Sequence, residues 1–183
     1  VRSCLIGEKA RRGLSDETDT AYLMVGTGIG VAATVGGRMM RGFSSRSGEI
    51  ERVPINPGME CQTTLHRHLT EASLIERARK YDPQVDSVCS IAMNIRQPWA
   101  QELVADFKKY LNFIIQMVDG ICNPYSIILG GTIIPQLAPY IKDALPAGRV
   151  IIGENYEDAC VTGAAMVAIR GGIQALINEQ IEI

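Results

Sequence analysis

"LMVGTGIGVAAT", residues 23–34, gathers three glycines around the hydroxyl of Thr27, with apolar side chains on either side. A backbone bared in this way has two uses. It makes a tight turn between buried strands, or it forms a loop whose N–H groups converge on an anion such as phosphate. The flanks favour strands: "DTAYLMV" reads as a strand through Tyr22 to Val25, and "VAATVGGRMM" as a second strand that turns at Gly36-Gly37. The glycine loop therefore joins two strands.

Beyond this hairpin the chain changes character. "RGFSSRSGEIERVPINPGMECQ" is rich in Ser, Gly, Pro and charge and reads as a long irregular segment of the kind that carries function. "TTLHRHLTEASLIERARKY" reads as one helix, with Leu65, Leu69, Ala72 and Ile75 recurring at three to four residues. The strongest helix follows Pro98, a first-turn proline. Its stripe of Trp99, Leu103, Phe107, Leu111, Ile114 or Ile115, Val118 and Ile121 predicts a core face. "NPYSIILGGTIIP" supplies a buried-type strand over Ser126 to Leu129, with Gly130-Gly131 at its carboxyl end. "GRVIIGEN" adds a short strand, and the final stretch from Tyr156 reads as a helix whose small Gly163, Ala164 and Ala165 allow close approach of a neighbour. Two hairpin strands, helices, strand, helix, strand, helix is an α/β order.

Bulk properties narrow the function classes. A chain of 183 residues with 46% hydrophobic content buries a core of its own and is read as one domain. Lys+Arg 18 against Asp+Glu 20 leaves no basic excess for nucleic acid or a membrane surface. The five cysteines (Cys4, Cys61, Cys89, Cys122 and Cys160) show no CxxC pair and no disulfide framework, which suits a reducing cytoplasm. No apolar run approaches the roughly 20 residues that span a bilayer. The chain opens at Val1 directly into "VRSCLIGEKARRG", where Val1, Leu5 and Ile6 resemble the middle of an element. It reads as a piece of a longer protein.

"GTGIG" lacks the Gly-Lys-Ser/Thr ending of a Walker loop and does not open a helix as a dinucleotide fingerprint does. Paired with a second Gly-Gly turn at the end of a later strand, it offers a nucleotide two backbone walls. Four stretches, "VGTGIGVAATVGGRMMRG", "SGEIERVPI", "NPYSIILGGTIIP" and "DACVTGAAMVAI", resemble in order and spacing the ROK family of repressors, open reading frames and sugar kinases, within the actin-like ATPase superfamily. The resemblance covers essentially the whole chain. It implies an α/β, ribonuclease H-like domain, a mixed sheet with flanking helices, corresponding over 1–183 to the family's carboxyl-terminal half.

What the resemblance implies for the site follows residue by residue. The loop matching Gly26, Thr27, Gly28, Ile29 and Gly30 faces the terminal phosphates of ATP, and Gly130, Gly131 and Thr132 lie along the nucleotide, with magnesium as its counter-ion. Valine at Gly26 or Gly130 is then expected to obstruct the nucleotide while leaving the apolar core untouched. In "SGEIERVPI" Glu49 matches a glutamate that accepts from sugar hydroxyls, whereas Glu51 and Arg52 depart from the family's Gly-His. Arg52 takes the place of a residue that touches both sugar and zinc, and a guanidinium does not ligate metal. "CQTTLHRHL" keeps Cys61 and adds His66 and His68, short of the four ligands of a structural site, so zinc is expected to be lost and the histidines to lie on a helix surface.

No catalytic residue is assigned within the chain, because the family's catalytic aspartate would stand one residue before Val1. The fragment alone is therefore expected to be inactive. Two functions are compatible with the resemblance: an ATP-dependent kinase of a hexose or amino-hexose, or the sugar-sensing, dimerising half of a repressor. DNA is a partner only if a helix-turn-helix domain precedes Val1. A homodimer is expected in either case, and no membrane association.

Overall fold

The computed structural model describes residues 1–55 and 63–181, with side chains through residue 174. Helix α1 (Arg2–Arg11) leads to β1 (Thr20–Val25), β2 (Ile29–Val35) and the short β3 (Arg38–Met39). Helices α2 (Leu65–Leu69), α3 (Glu71–Ala78), α4 (Val88–Met93) and α5 (Pro98–Cys122) follow. The chain then returns through β4 (Ser126–Gly130), α6 (Ile133–Ile141), β5 (Val150–Ile152) and α7 (Tyr156–Ile181). The strands form one mixed sheet in the order β3-β2-β1-β4-β5. β1 pairs antiparallel with β2 and parallel with β4, and β4 runs parallel to β5.

Strand periodicity distributes the side chains to two faces. Ala21, Leu23 and Val25 of β1, with Ile127 and Leu129 of β4, join the large core under α2 to α6, while Tyr22, Ala32 and Ile128 face α1 and α7. The α5 stripe supplies Leu103, Phe107, Leu111, Ile114, Ile115 and Val118 to the large core. Each such side chain is worth about 1.5–3 kcal/mol when fully buried, so this helix anchors the domain. The stripe ends earlier than its spacing predicts, since Ile121 is 68% exposed, just ahead of the left-handed cap at Asn123.

Three further elements differ from the sequence reading. The single helix expected after residue 63 is two, broken at Thr70, whose backbone is extended at φ −85°, ψ 152°. Its hydroxyl donates to the His66 carbonyl at 2.8 Å, a local bond that competes with helix continuation. Helix α4, capped by the Ser87 side chain accepting from the Ser90 amide at 3.2 Å, lies in a stretch that the periodicity left unassigned. On the opposite face, α1 crosses α7 at Gly7 and Gly163. A β-carbon on Gly163 would collide with the Ser3 carbonyl, and one on Gly7 with that of Ala159. Ala164 and Ala165, grouped with Gly163 by sequence, are exposed.

Candidate functional site

The two glycine turns meet at the carboxyl ends of neighbouring parallel strands, β1 and β4. The first, Gly26-Thr27-Gly28, closes the hairpin between Val25 and Ile29. Its own carbonyl at Gly28 takes the Gly26 amide at 3.0 Å, and no described residue accepts from the amides of Thr27 and Gly28. The second, Gly130-Gly131-Thr132, leads into α6, whose amino-terminal end adds partial positive charge beside it. A β-carbon at position 26 would lie 2.8 Å from Thr132 Oγ1 and 3.3 Å from its amide nitrogen. The turns are in contact, not merely near.

A residue that sequence reading did not single out joins them. The backbone amide of Glu71, at the start of α3, donates to the Gly26 carbonyl at 3.0 Å. Its carboxylate accepts from Thr132 Oγ1 at 3.3 Å. The break at Thr70 is what lets α3 begin here. Sequence reading placed Glu71 inside one continuous helix and gave no signal of this role, because its partners are remote in the chain.

Packing also fixes the glycines themselves. Gly131 has φ +101°, and a β-carbon there would strike the Val25 carbonyl. A β-carbon on Gly130 would strike the hydroxyl of Tyr22, which is fully buried. The expectation that Gly130→Val would leave the core untouched is therefore corrected: the substitution enters it. The Ile29 side chain belongs to the core, so only its backbone borders the turn. Gly30 pairs with Met24 inside the β1–β2 ladder.

Above the first turn opens a cavity of about 470 Å³ bordered by Arg2, Thr27, Gly28, Gly30, Glu49 and Glu51. The loop that carries the two glutamates is pinned at both sides. Val31 donates to the Gly48 carbonyl at 2.9 Å, Gly48 has φ +91°, and the Arg2 guanidinium donates to the Ser45 carbonyl at 2.6 Å. Glu49 is exposed and borders a second cavity of about 390 Å³ together with Arg46, Glu51 and Arg52. The Arg52 side chain is 91% exposed, its Nε 3.8 Å from Glu51 Oε1. Glu51 Oε2 lies 3.8 Å from His66 Nδ1 and 3.0 Å from the position of a β-carbon on Gly28.

The histidines do not converge. His66 is 47% exposed beside Glu51. His68, expected at the surface, is instead mostly buried, its Nε2 3.1 Å from Thr63 Oγ1 and its Nδ1 2.9 Å from Asp106 Oδ2. The same carboxylate oxygen meets Arg77 at 2.7 Å, and the His68 ring lies 3.8 Å from that of Tyr110. Both ring nitrogens of His68 are thus engaged. Cys61 lies outside the described residues. Among the described residues no three metal-binding side chains are grouped, and the two histidines do not fit a shared zinc. No described helix is long and apolar enough to cross a membrane.

Two abutting glycine turns lie at one end of a mixed sheet, with the loop of Glu49 and Glu51 above them, and the sequence that builds them matches, over residues 1–169, the profile of the ROK family. The chain belongs to the ROK family. No curated protein matches its sequence. Solved structures are similar in fold. A ROK family protein from Streptococcus pneumoniae in complex with sucrose has a TM-score of 0.77 at 18% identity over 94% of this chain and 65% of its own. A ROK family glucokinase from Streptomyces griseus in complex with glucose and AMPPNP has 0.68 at 16%, over 90% of this chain and 65% of its own. A ROK family transcriptional regulator, a homolog of the E. coli MLC protein, has 0.69 at 20%, over 91% of this chain and 49% of its own. At these identities the likeness establishes the actin-like ATPase fold, and this ROK chain spans less than two thirds of each structure.

Proposed function

We propose that this chain is the carboxyl-terminal, nucleotide- and sugar-binding half of a ROK-type ATP-dependent kinase of a hexose or amino-hexose, working in the cytoplasm. The observation that carries the reading is the contact between the Gly26 and Thr132 turns, held by Glu71. The amides of Thr27 and Gly28 lack acceptors among the described residues, and the start of α6 lies beside them. Phosphoryl transfer is governed by positioning and charge stabilisation, which backbone donors supply without covalent chemistry. ATP with magnesium would place its terminal phosphates on the first turn and lie along Gly130, Gly131 and Thr132. Glu49, at the wall between the two cavities, is suited to accept from two vicinal sugar hydroxyls, with Arg52 on the rim.

The direct test is AMPPNP binding to the full natural protein by calorimetry. Gly26→Val, which drives side-chain carbons into Thr132, should weaken binding by at least about tenfold. Wild-type affinity in that variant, or no binding by the parent, overturns the nucleotide assignment.

The carboxylate of Glu51 at the Gly28 corner favours a second reading, the sugar-sensing and dimerising half of a ROK repressor. Turnover separates the two. ATP consumption by the full natural protein with glucose or an amino-hexose supports the kinase. Sugar binding without turnover, together with DNA binding released by sugar, supports the regulator.

A further inference from the structure

We infer that Glu51 is a specificity-determining residue that guards the Gly26–Gly28 turn against anions, so that a phosphate reaches the Thr27 and Gly28 amides only when the Glu51 carboxylate swings aside. The inference rests on the nucleotide reading of that turn. Its ground is placement. Oε2 of Glu51 lies 3.0 Å from where a β-carbon on Gly28 would stand, so a carboxylate oxygen sits beside Gly28 in the wall of the cavity that the turn borders. Phosphate oxygens and a carboxylate oxygen carry charge of the same sign and repel at this distance.

The carboxylate is held in place weakly. The Arg52 guanidinium approaches it no closer than 3.8 Å at Nε, on a side chain 91% exposed, and His66 Nδ1 lies 3.8 Å away. Contacts of that length at the surface neutralise little of its field. No hydrogen bond to the carboxylate is present among the described residues. The backbone, by contrast, is fixed: the His66 amide donates to the Glu51 carbonyl at 2.9 Å, and the Val53 amide to that of Ile50 at 3.0 Å. A fixed Cα with a loosely held acidic head is a movable gate. Arg2, on the same cavity wall, directs its guanidinium at the Ser45 and Ser47 carbonyls and forms no ion pair with Glu51 among the described residues.

A gate of this kind makes nucleotide affinity depend on the charge of residue 51 more than on its size. Glu51→Gln keeps the shape and removes the charge, and Glu51→Gly removes both. With the full natural protein, calorimetric affinity for AMPPNP should tighten in Glu51→Gln on the order of tenfold, and at least as much in Glu51→Gly. Glu76→Gln, which removes the same charge from an exposed position on α3, should leave the affinity unchanged. Equal affinity in wild type and Glu51→Gln overturns the guard while leaving nucleotide binding intact. Equal tightening in Glu76→Gln also overturns it, since overall charge would then be the cause. No binding by any of the proteins, Glu51→Gly included, overturns the nucleotide reading and the guard with it.

Discussion

The hydroxyl of Thr132 donates to the carboxylate of Glu71 at 3.3 Å, across the groove between the second glycine turn and the start of α3. Because the Glu71 amide simultaneously holds the Gly26 carbonyl, one residue fixes the relative position of two turns that lie far apart in the sequence. Glu71→Ala removes the carboxylate but keeps the amide, so the first turn stays anchored and the second is released. Stability should fall by about 1 kcal/mol, the net worth of one side-chain hydrogen bond. AMPPNP affinity should fall with it, because the turns lose their register. Denaturant unfolding and calorimetry on the same variant check both, and unchanged nucleotide affinity would show that the turns do not act together.

The crossing of α1 and α7 offers a test in which sign decides. Gly→Ala inside a helix ordinarily stabilises by up to about 1 kcal/mol. Gly172, with open space around it, should follow that rule. Gly163→Ala should do the opposite, losing about 1–3 kcal/mol as the new methyl forces α7 away from the Ser3 carbonyl. Denaturation midpoints of the two variants, measured side by side, should move in opposite directions.

Thiol chemistry should separate the cysteines by burial. Cys4 has no exposed surface, and burial pushes its thiol up to about 11, whereas Cys89 is exposed. Among the described cysteines, alkylation followed by mass spectrometry should mark Cys89 first and Cys4 last at neutral pH. The folded state favours the neutral Cys4 thiol. Its contribution to stability is therefore complete below about 9, the ordinary thiol value, and is lost as pH rises through about 11. Early labelling of Cys4 would mean that α1 leaves α7 readily.

Zinc should be substoichiometric in the purified protein. His68 is occupied by Thr63 and Asp106, and His66 faces Glu51 rather than its neighbouring histidine. Elemental analysis settles the matter: one equivalent of zinc per chain that disappears in His66→Ala would show a rebuilt site.

Association is expected through exposed apolar surface. Val161, Val167 and Ile169 of α7 are all exposed, an arrangement that seeks cover. A two-fold dimer with isologous contacts should give one mass by sedimentation over a wide concentration range. A mass that climbs steadily would indicate unspecific association instead, and a stable monomer would contradict the dimer.

Sequence by itself determined the elements that depend on local pattern. The β1–β2 hairpin, the turn at Gly36-Gly37 that follows β2, the long α5 stripe and the glycine pair closing β4 were legible because period-two and period-3.6 spacing and glycine punctuation act over a few residues. The order of the four quoted stretches was enough for the family. Tertiary structure alone decided where the helix breaks at Thr70, why Gly130 must spare Tyr22, that His68 turns inward to Asp106, and that Glu71 joins the turns. Apart from the Thr70 break, where a local hydroxyl bond also acts, these depend on distant groups brought together by packing: β4 beside β1 for Gly130 and Tyr22, α2 against α5 for His68 and Asp106, and α3 against the turns for Glu71. The energy of such a contact leaves no periodic trace in the chain that encodes it. The placement of Glu51 over Gly28 is of the same kind: the sequence shows that a glutamate departs from the family's glycine, and only the folded loop shows which backbone its charge faces.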